Sequence, residues 1–136
     1  MSNQITNTGN PDLAKLILRL STGGLFIAHG LMKALVFTLA GTAAYFESLG
    51  LPGFLAYLTI AAELAGGIAL ILGVYTRVVA AALVPVLLGA AIFGHGKAGF
   101  FFSNEGGGWE YPVFWAVIMV VIALLGSGAH ALRRDA

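Results

Sequence analysis

The sequence predicts an all-α protein: a four-transmembrane-helix bundle with a short interfacial helix after the first span and a glycine- and aromatic-rich outer loop between the third and fourth. Three observations predict it. The 136 residues are 59% hydrophobic and only 10% charged, with a mean hydropathy of +0.92, whereas a soluble domain carries about 25% charged residues. Four apolar stretches are long enough, or nearly so, to cross a hydrocarbon core of ~30 Å at ~1.5 Å per residue. The first stretch also carries Lys15, Arg19, His29 and Lys33. A cation at mid-membrane costs ~2.5–3.5 kcal/mol on insertion scales, so a bundle must cover such groups.

Residues 1–11 read as a polar tail, without the positive segment and cleavage site of a secretory signal. Residues 12–132 read as one membrane domain, and 133–136 as a basic tail. Pro11 and Asp12 suit a helix start. The first span is expected from Leu13 to about Leu39. Arg19, Thr22, Phe26, His29 and Lys33 recur at spacings of three and four and share one face. Leu16, Ile17, Leu20, Ile27, Leu31 and Leu35 form the opposite, lipid-facing side. The Gly23–Gly24 pair admits close approach of another backbone. Gly41 and Thr42 should end this span.

The next segment, 43–52, is too short and mixed to cross. Tyr45, Phe46 and Leu49 fall on one side, as in an interfacial helix. The second span is expected over Pro52–Val74. Glu63 is its one ionisable group, on a face shared with Thr59, Gly66, Leu70 and Gly73. The third covers Val78–Gly94 and contains Pro85, which should kink it. The segment 95–111 joins three phenylalanines, a triple glycine, Trp109, Glu110 and Tyr111, and should fold over the bundle mouth. The fourth span starts at Pro112 and ends at Leu125 or continues to Leu132. Lys15, Arg19, Arg77, Arg133 and Arg134 lie toward the terminal side, against Lys33 and Lys97 on the other. The positive-inside rule then puts both termini in the cytoplasm.

Composition also excludes. With no cysteine there is no disulfide, thiol chemistry or cysteine-held iron–sulfur cluster. A net charge of +1 without a basic cluster gives no footprint for nucleic acid. No nucleophile–base pair, phosphate loop or nucleotide fingerprint is present.

Several segments resemble one family. Arg19-Leu20, Gly24, Phe26, His29-Gly30 and Lys33, then Phe46 to Pro52, Glu63 with Gly66-Gly67, Gly73 with Thr76-Arg77, Gly99-Phe100-Phe101 and Gly107 to Tyr111 are similar to the pattern of DoxX-type membrane proteins. The resemblance covers nearly all of the chain after the tail. It implies a four-helix bundle in the bacterial cytoplasmic (inner) membrane. It also implies work beside quinone-linked oxidases, thiosulfate:quinone oxidoreductase or oxidative-stress complexes.

Two constellations carry the functional expectations. Counted from the expected helix ends, Arg19 lies ~9 Å and Glu63 ~14 Å above the inner boundary, so a structural ion pair is expected between them. The second is an outer pocket of His29, Lys33, His95, Phe100, Trp109, Glu110 and Tyr111. Aromatic walls with a few fixed polar groups suit a flat ligand such as a quinone. Haem b held by His29 and His95 is a weaker alternative. A metal held by His29, His95 and Glu110 has no compact ligand motif behind it, so no metal is expected. Three functions compete: a redox subunit that binds quinone beside a soluble or membrane partner, a non-catalytic scaffold that docks a soluble enzyme, and a channel or transporter built as a homo-oligomer.

Overall fold

In the computed structural model, residues 9–135 are described; most of the polar tail lies outside them. Five α-helices and no strand occur among the described residues: α1 Pro11–Leu31, α2 Leu39–Ser48, α3 Phe54–Leu72, α4 Thr76–Gly89 and α5 Glu110–Leu125. A wide, π-type turn extends α1 over Met32–Val36 and another extends α4 over Ala90–Gly94. By length and composition, α3 (19 residues, mean hydropathy 2.0) and α4 with its wide turn (19 residues, 2.1) can cross a membrane. Counting α1 with α2 as one bent span makes three. The apolar α5 is shorter, at 16 residues.

The first span is not one helix to Leu39. The chain turns through 98° between Val36 and Leu39. Thr38 makes the corner at φ 67°, a conformation unfavourable for a β-branched residue. It also starts α2, because its hydroxyl accepts from the amide of Gly41 at 3.0 Å. Thr42 donates to the carbonyls of Lys33 and Thr38, 3.0 and 2.8 Å away. So Gly41 and Thr42 open the short helix rather than close the long one. Pro85 does not interrupt α4, which stays α-helical to Gly89; the irregular turn comes later. The last helix stops at Leu125, not Leu132.

Two close helix packings organise the bundle, α1 on α3 and α4 on α5, with α3 against α4 joining them. Where α1 crosses α3, Gly23 and Gly67 meet backbone to backbone. A Cβ on either would lie 2.8 Å from the other's carbonyl oxygen. Gly24 faces open space and plays no part in the contact. The core between the two pairs is Phe26, Leu70, Leu83, Leu87, Trp115 and Met119 with their neighbours.

The crossing corrects the predicted Arg19–Glu63 pair. With Gly23 opposite Gly67 in antiparallel helices, Arg19 falls opposite Ile71, two turns or ~12 Å from Glu63. Arg19 is fully buried and donates instead to the carbonyls of Leu70 (3.0 Å), Ile71 (3.3 Å), Ser127 (3.0 Å) and His130. The segment after α5 folds back over this end. Leu132 and Arg133 amides donate to the carbonyls of Leu72 and Gly73, at 3.0 and 3.1 Å. Asp12 accepts from the Ala129 amide at 3.0 Å.

Candidate functional site

At the other end, a cavity of about 700 Å³ opens between the two helix pairs. Its polar wall comes from α1, α2, α3 and the loop that leads into α5. Lys33 stands on the wide turn after α1, whose geometry sets its carbonyl on Thr42 and its ammonium on Glu63 Oε1. The pair is unequally buried: the lysine side chain is 23% exposed and the glutamate 4%. The ammonium therefore fronts the carboxylate. Its two remaining N–H groups are available, and the carboxylate's Oε2 is buried without a hydrogen-bond partner. Such an orphan acceptor is costly, ~1–3 kcal/mol or more for a charged group.

His29, one turn before Lys33, uses Nδ1 to donate to the Leu25 carbonyl at 2.8 Å. That leaves Nε2 as an acceptor. Its ring meets Trp115 edge-on at 5.1 Å, and Trp115 packs on Phe26 at 4.4 Å. The Trp115 Nε1–H is a second buried group without a partner. His95 follows the wide turn of α4. It donates from Nδ1 to the Gly106 carbonyl at 3.0 Å and accepts at Nε2 from the Tyr111 hydroxyl at 3.0 Å.

The predicted pocket residues thus divide. His29, Lys33, His95 and Tyr111 line the cavity together. Phe100, Trp109 and Glu110 do not. Phe100 and Trp109 meet edge to face at 4.9 Å within the loop, and Glu110 Oε1 accepts from the Phe102 amide at 3.3 Å. These three shape the loop rather than roof the cavity. Gly108 is buried there because a Cβ would strike the Phe100 and Phe101 carbonyls, at 2.4 and 2.2 Å.

Glu63 belongs to the cavity, as do Thr59, Trp115 and the α2 residues Thr42, Tyr45 and Phe46. The Gly-Gly step at 66–67 held the signal for Glu63, since it fixes the crossing and hence which turn of α1 the acid faces. No comparable signal marks Trp115, which reads as one more apolar residue of α5. No group of three metal-binding side chains occurs among the described residues. Haem ligation by His29 and His95 does not fit this arrangement, because both ring nitrogens of His95 are engaged.

The sequence profile of the DoxX family matches residues 14–96, from α1 to the wide turn of α4. The chain belongs to the DoxX family. This DoxX protein is 36% identical over 121 residues to the Bacillus subtilis (strain 168) protein named "Putative oxidoreductase CatD", covering 89% of this chain and 85% of the relative. It is 32% identical over 128 residues to the inner membrane protein YqjF of Escherichia coli (strain K12), covering 90% and 92%. Against YphA, another inner membrane protein of that strain, it is 29% identical over 126 residues, covering 88% and 87%. No solved structure matches it. It is a membrane protein of this family, with two helices, or three spans if α1 and α2 count as one, long and apolar enough to cross a bilayer.

Proposed function

We propose that this DoxX protein is a four-span subunit of a quinone-linked redox complex in the bacterial inner membrane, and that the Lys33–Glu63 cavity holds the quinone. In this reading α5 is the fourth span, its 16 residues matched by local thinning of the bilayer. Both termini are cytoplasmic by the charge bias, and the cavity lies near the periplasmic face. The oxidoreductase label in the name of CatD agrees with the reading.

The observation that carries it is the buried ion pair placed in an apolar, aromatic-walled cavity with one charged oxygen unsatisfied. A structural tie would satisfy both oxygens. When bound, a quinone supplies two-electron, two-proton redox chemistry. Lys33 is positioned to donate an N–H to a ligand carbonyl. Glu63 behind it, as the carboxylate of the pair, holds the ammonium in place and keeps it charged. His29 offers a second acceptor at Nε2, and Trp115 a second donor. The Tyr111–His95 pair fixes the cavity mouth against the loop. In this reading the electrons are exchanged with a partner enzyme.

The test is extraction of the protein, purified in native-lipid nanodiscs, followed by mass spectrometry of bound quinone. Wild type should carry quinone above the level of empty discs, and Lys33→Met should lose it. Equal quinone in loaded and empty discs would remove the reading.

A further inference from the structure

The wall of the cavity is divided by chemistry. Its ionisable and hydroxyl groups come from α1, α2, α3 and the two ends of the loop. α4 and its wide turn contribute no polar side chain: besides Leu87 and Gly94, the lining positions are Pro85, Val86, Gly89, Ala90 and Phe93. These five recur at spacings of one and three, so they form one stripe along ~12 Å of helix. Gly89 leaves a gap in the middle of the stripe: a Cβ there would meet nothing within 4 Å.

The wall is also not closed. Phe37 at the corner before α2, Tyr45 on α2 and Phe93 on α4 all line the cavity, yet they are 53%, 50% and 49% exposed. Each shows one side inward and the other outward. They stand on two facing edges, and Tyr45 Oη comes within 3.9 Å of a Cβ placed on Gly94. Outside these edges the surface is apolar: Leu35, Val36 and Ile92 are 73%, 71% and 66% exposed. That is the surface a bilayer covers, not water.

We infer that the cavity is entered sideways from the lipid, through the slit between the α1–α2 corner and the end of α4, and that its ligand is a tailed amphiphile. Its polar head meets Lys33 and Glu63, and its hydrocarbon tail lies over Gly89 and leaves past Phe93. This rests on the quinone reading for the head, and adds that the substrate class is isoprenoid-tailed. A tail in the slit gains little from leaving lipid, which is as apolar as the groove. The tail therefore contributes fit more than affinity, and obstruction is the sensitive probe.

Gly89→Leu places a side chain in open space on a helical residue, where leaving glycine also favours the helix. Ala90→Leu, on the same stripe, repeats the test should Gly89→Leu fold poorly. Trp109→Phe leaves Trp115 as the sole tryptophan, inside the cavity. Its fluorescence quenching then reports quinone binding in nanodiscs. The probes are a naphthoquinone without a side chain and the same head with two isoprene units. Gly89→Leu should weaken the tailed probe at least tenfold and the tailless one less than twofold. Equal effects on both probes, or none on either, would overturn the lateral route while leaving the quinone site standing. If neither probe quenches Trp115 in the wild-type cavity, the quinone reading falls and the inference with it.

Discussion

Lys33→Met isolates the feature on which the site depends. Among the described residues Lys33 is the one partner of a carboxylate that is 4% exposed and has its other oxygen unpaired, and the change removes it. Breaking a buried ion pair from one side costs ~3–5 kcal/mol, because the remaining charge is uncompensated. The reverse change, Glu63→Met, should cost less. Lys33 is 23% exposed, so its ammonium can turn into the cavity and stay solvated, and a loss of ~1 kcal/mol is expected. Replacing both residues by methionine should return stability to within ~1 kcal/mol of wild type, since apolar substitutes for buried pairs are often neutral or better. The assay is unfolding in mixed detergent micelles, followed by far-ultraviolet circular dichroism and tryptophan fluorescence. The double-mutant cycle then gives a coupling of ~2 kcal/mol or more. A coupling near zero, or a Lys33→Met loss no larger than that of Glu63→Met, would refute the unequal buried pair and the cavity chemistry built on it.

Two further outcomes test the frame that holds the site. Arg19→Lys keeps the charge but not the planar fork that reaches four carbonyls on α3 and the C-terminal segment. It should lower stability by ~2–4 kcal/mol and open residues 126–132 to limited proteolysis; unchanged protection would show that the clamp is idle. Gly23→Leu and Gly24→Leu are neighbours with opposite expectations. The first drives a side chain into the Gly67 carbonyl and should abolish folded protein, while the second enters open space and should change stability by less than ~0.5 kcal/mol in the same unfolding assay.

Helix existence was legible because apolar runs and spacing are strong signals, and the DoxX pattern agreed with them. Helix ends and the register between helices were not. Ala34 to Phe37 is wholly apolar and no glycine or proline marks a break before Leu39, so the corner at Thr38 was hidden; its one trace is a hydroxyl three residues before Gly41, an ordinary cap signal. The Arg19–Glu63 pairing was counted from the starts of the first and second spans as if both began at the membrane boundary, with nothing to fix the register between them; the crossing at Gly23 and Gly67 supplies that register and rules the pair out. The loop failed for a different reason. Aromatic residues there could roof the bundle or pack on each other, and composition is the same for both; only the edge-to-face contact of Phe100 with Trp109 and the Glu110 contact decide.

The polar stripe of α1 separates two kinds of buried cation that spacing alone cannot tell apart. Arg19 and Lys33 lie fourteen residues apart on the same face. Arginine meets the Leu70 and Ile71 carbonyls in the last turn of α3, groups that a helix C-terminus leaves unsatisfied, and ties them to the Ser127 and His130 carbonyls of the segment after α5 with its fork of five donors. All of its recorded partners are backbone, so a change of sequence around it need not alter the clamp. Lysine meets a side-chain carboxylate beside an open volume and keeps donors unspent. A protein that needed only a second tie at that end could fill the volume with leucine and discard both charges at little cost in stability. Retaining an ionised pair beside empty, aromatic-walled space is sensible when something else completes its hydrogen bonds. That contrast, more than the family pattern, is why the functional reading attaches to Lys33 and Glu63 and not to the more deeply buried Arg19.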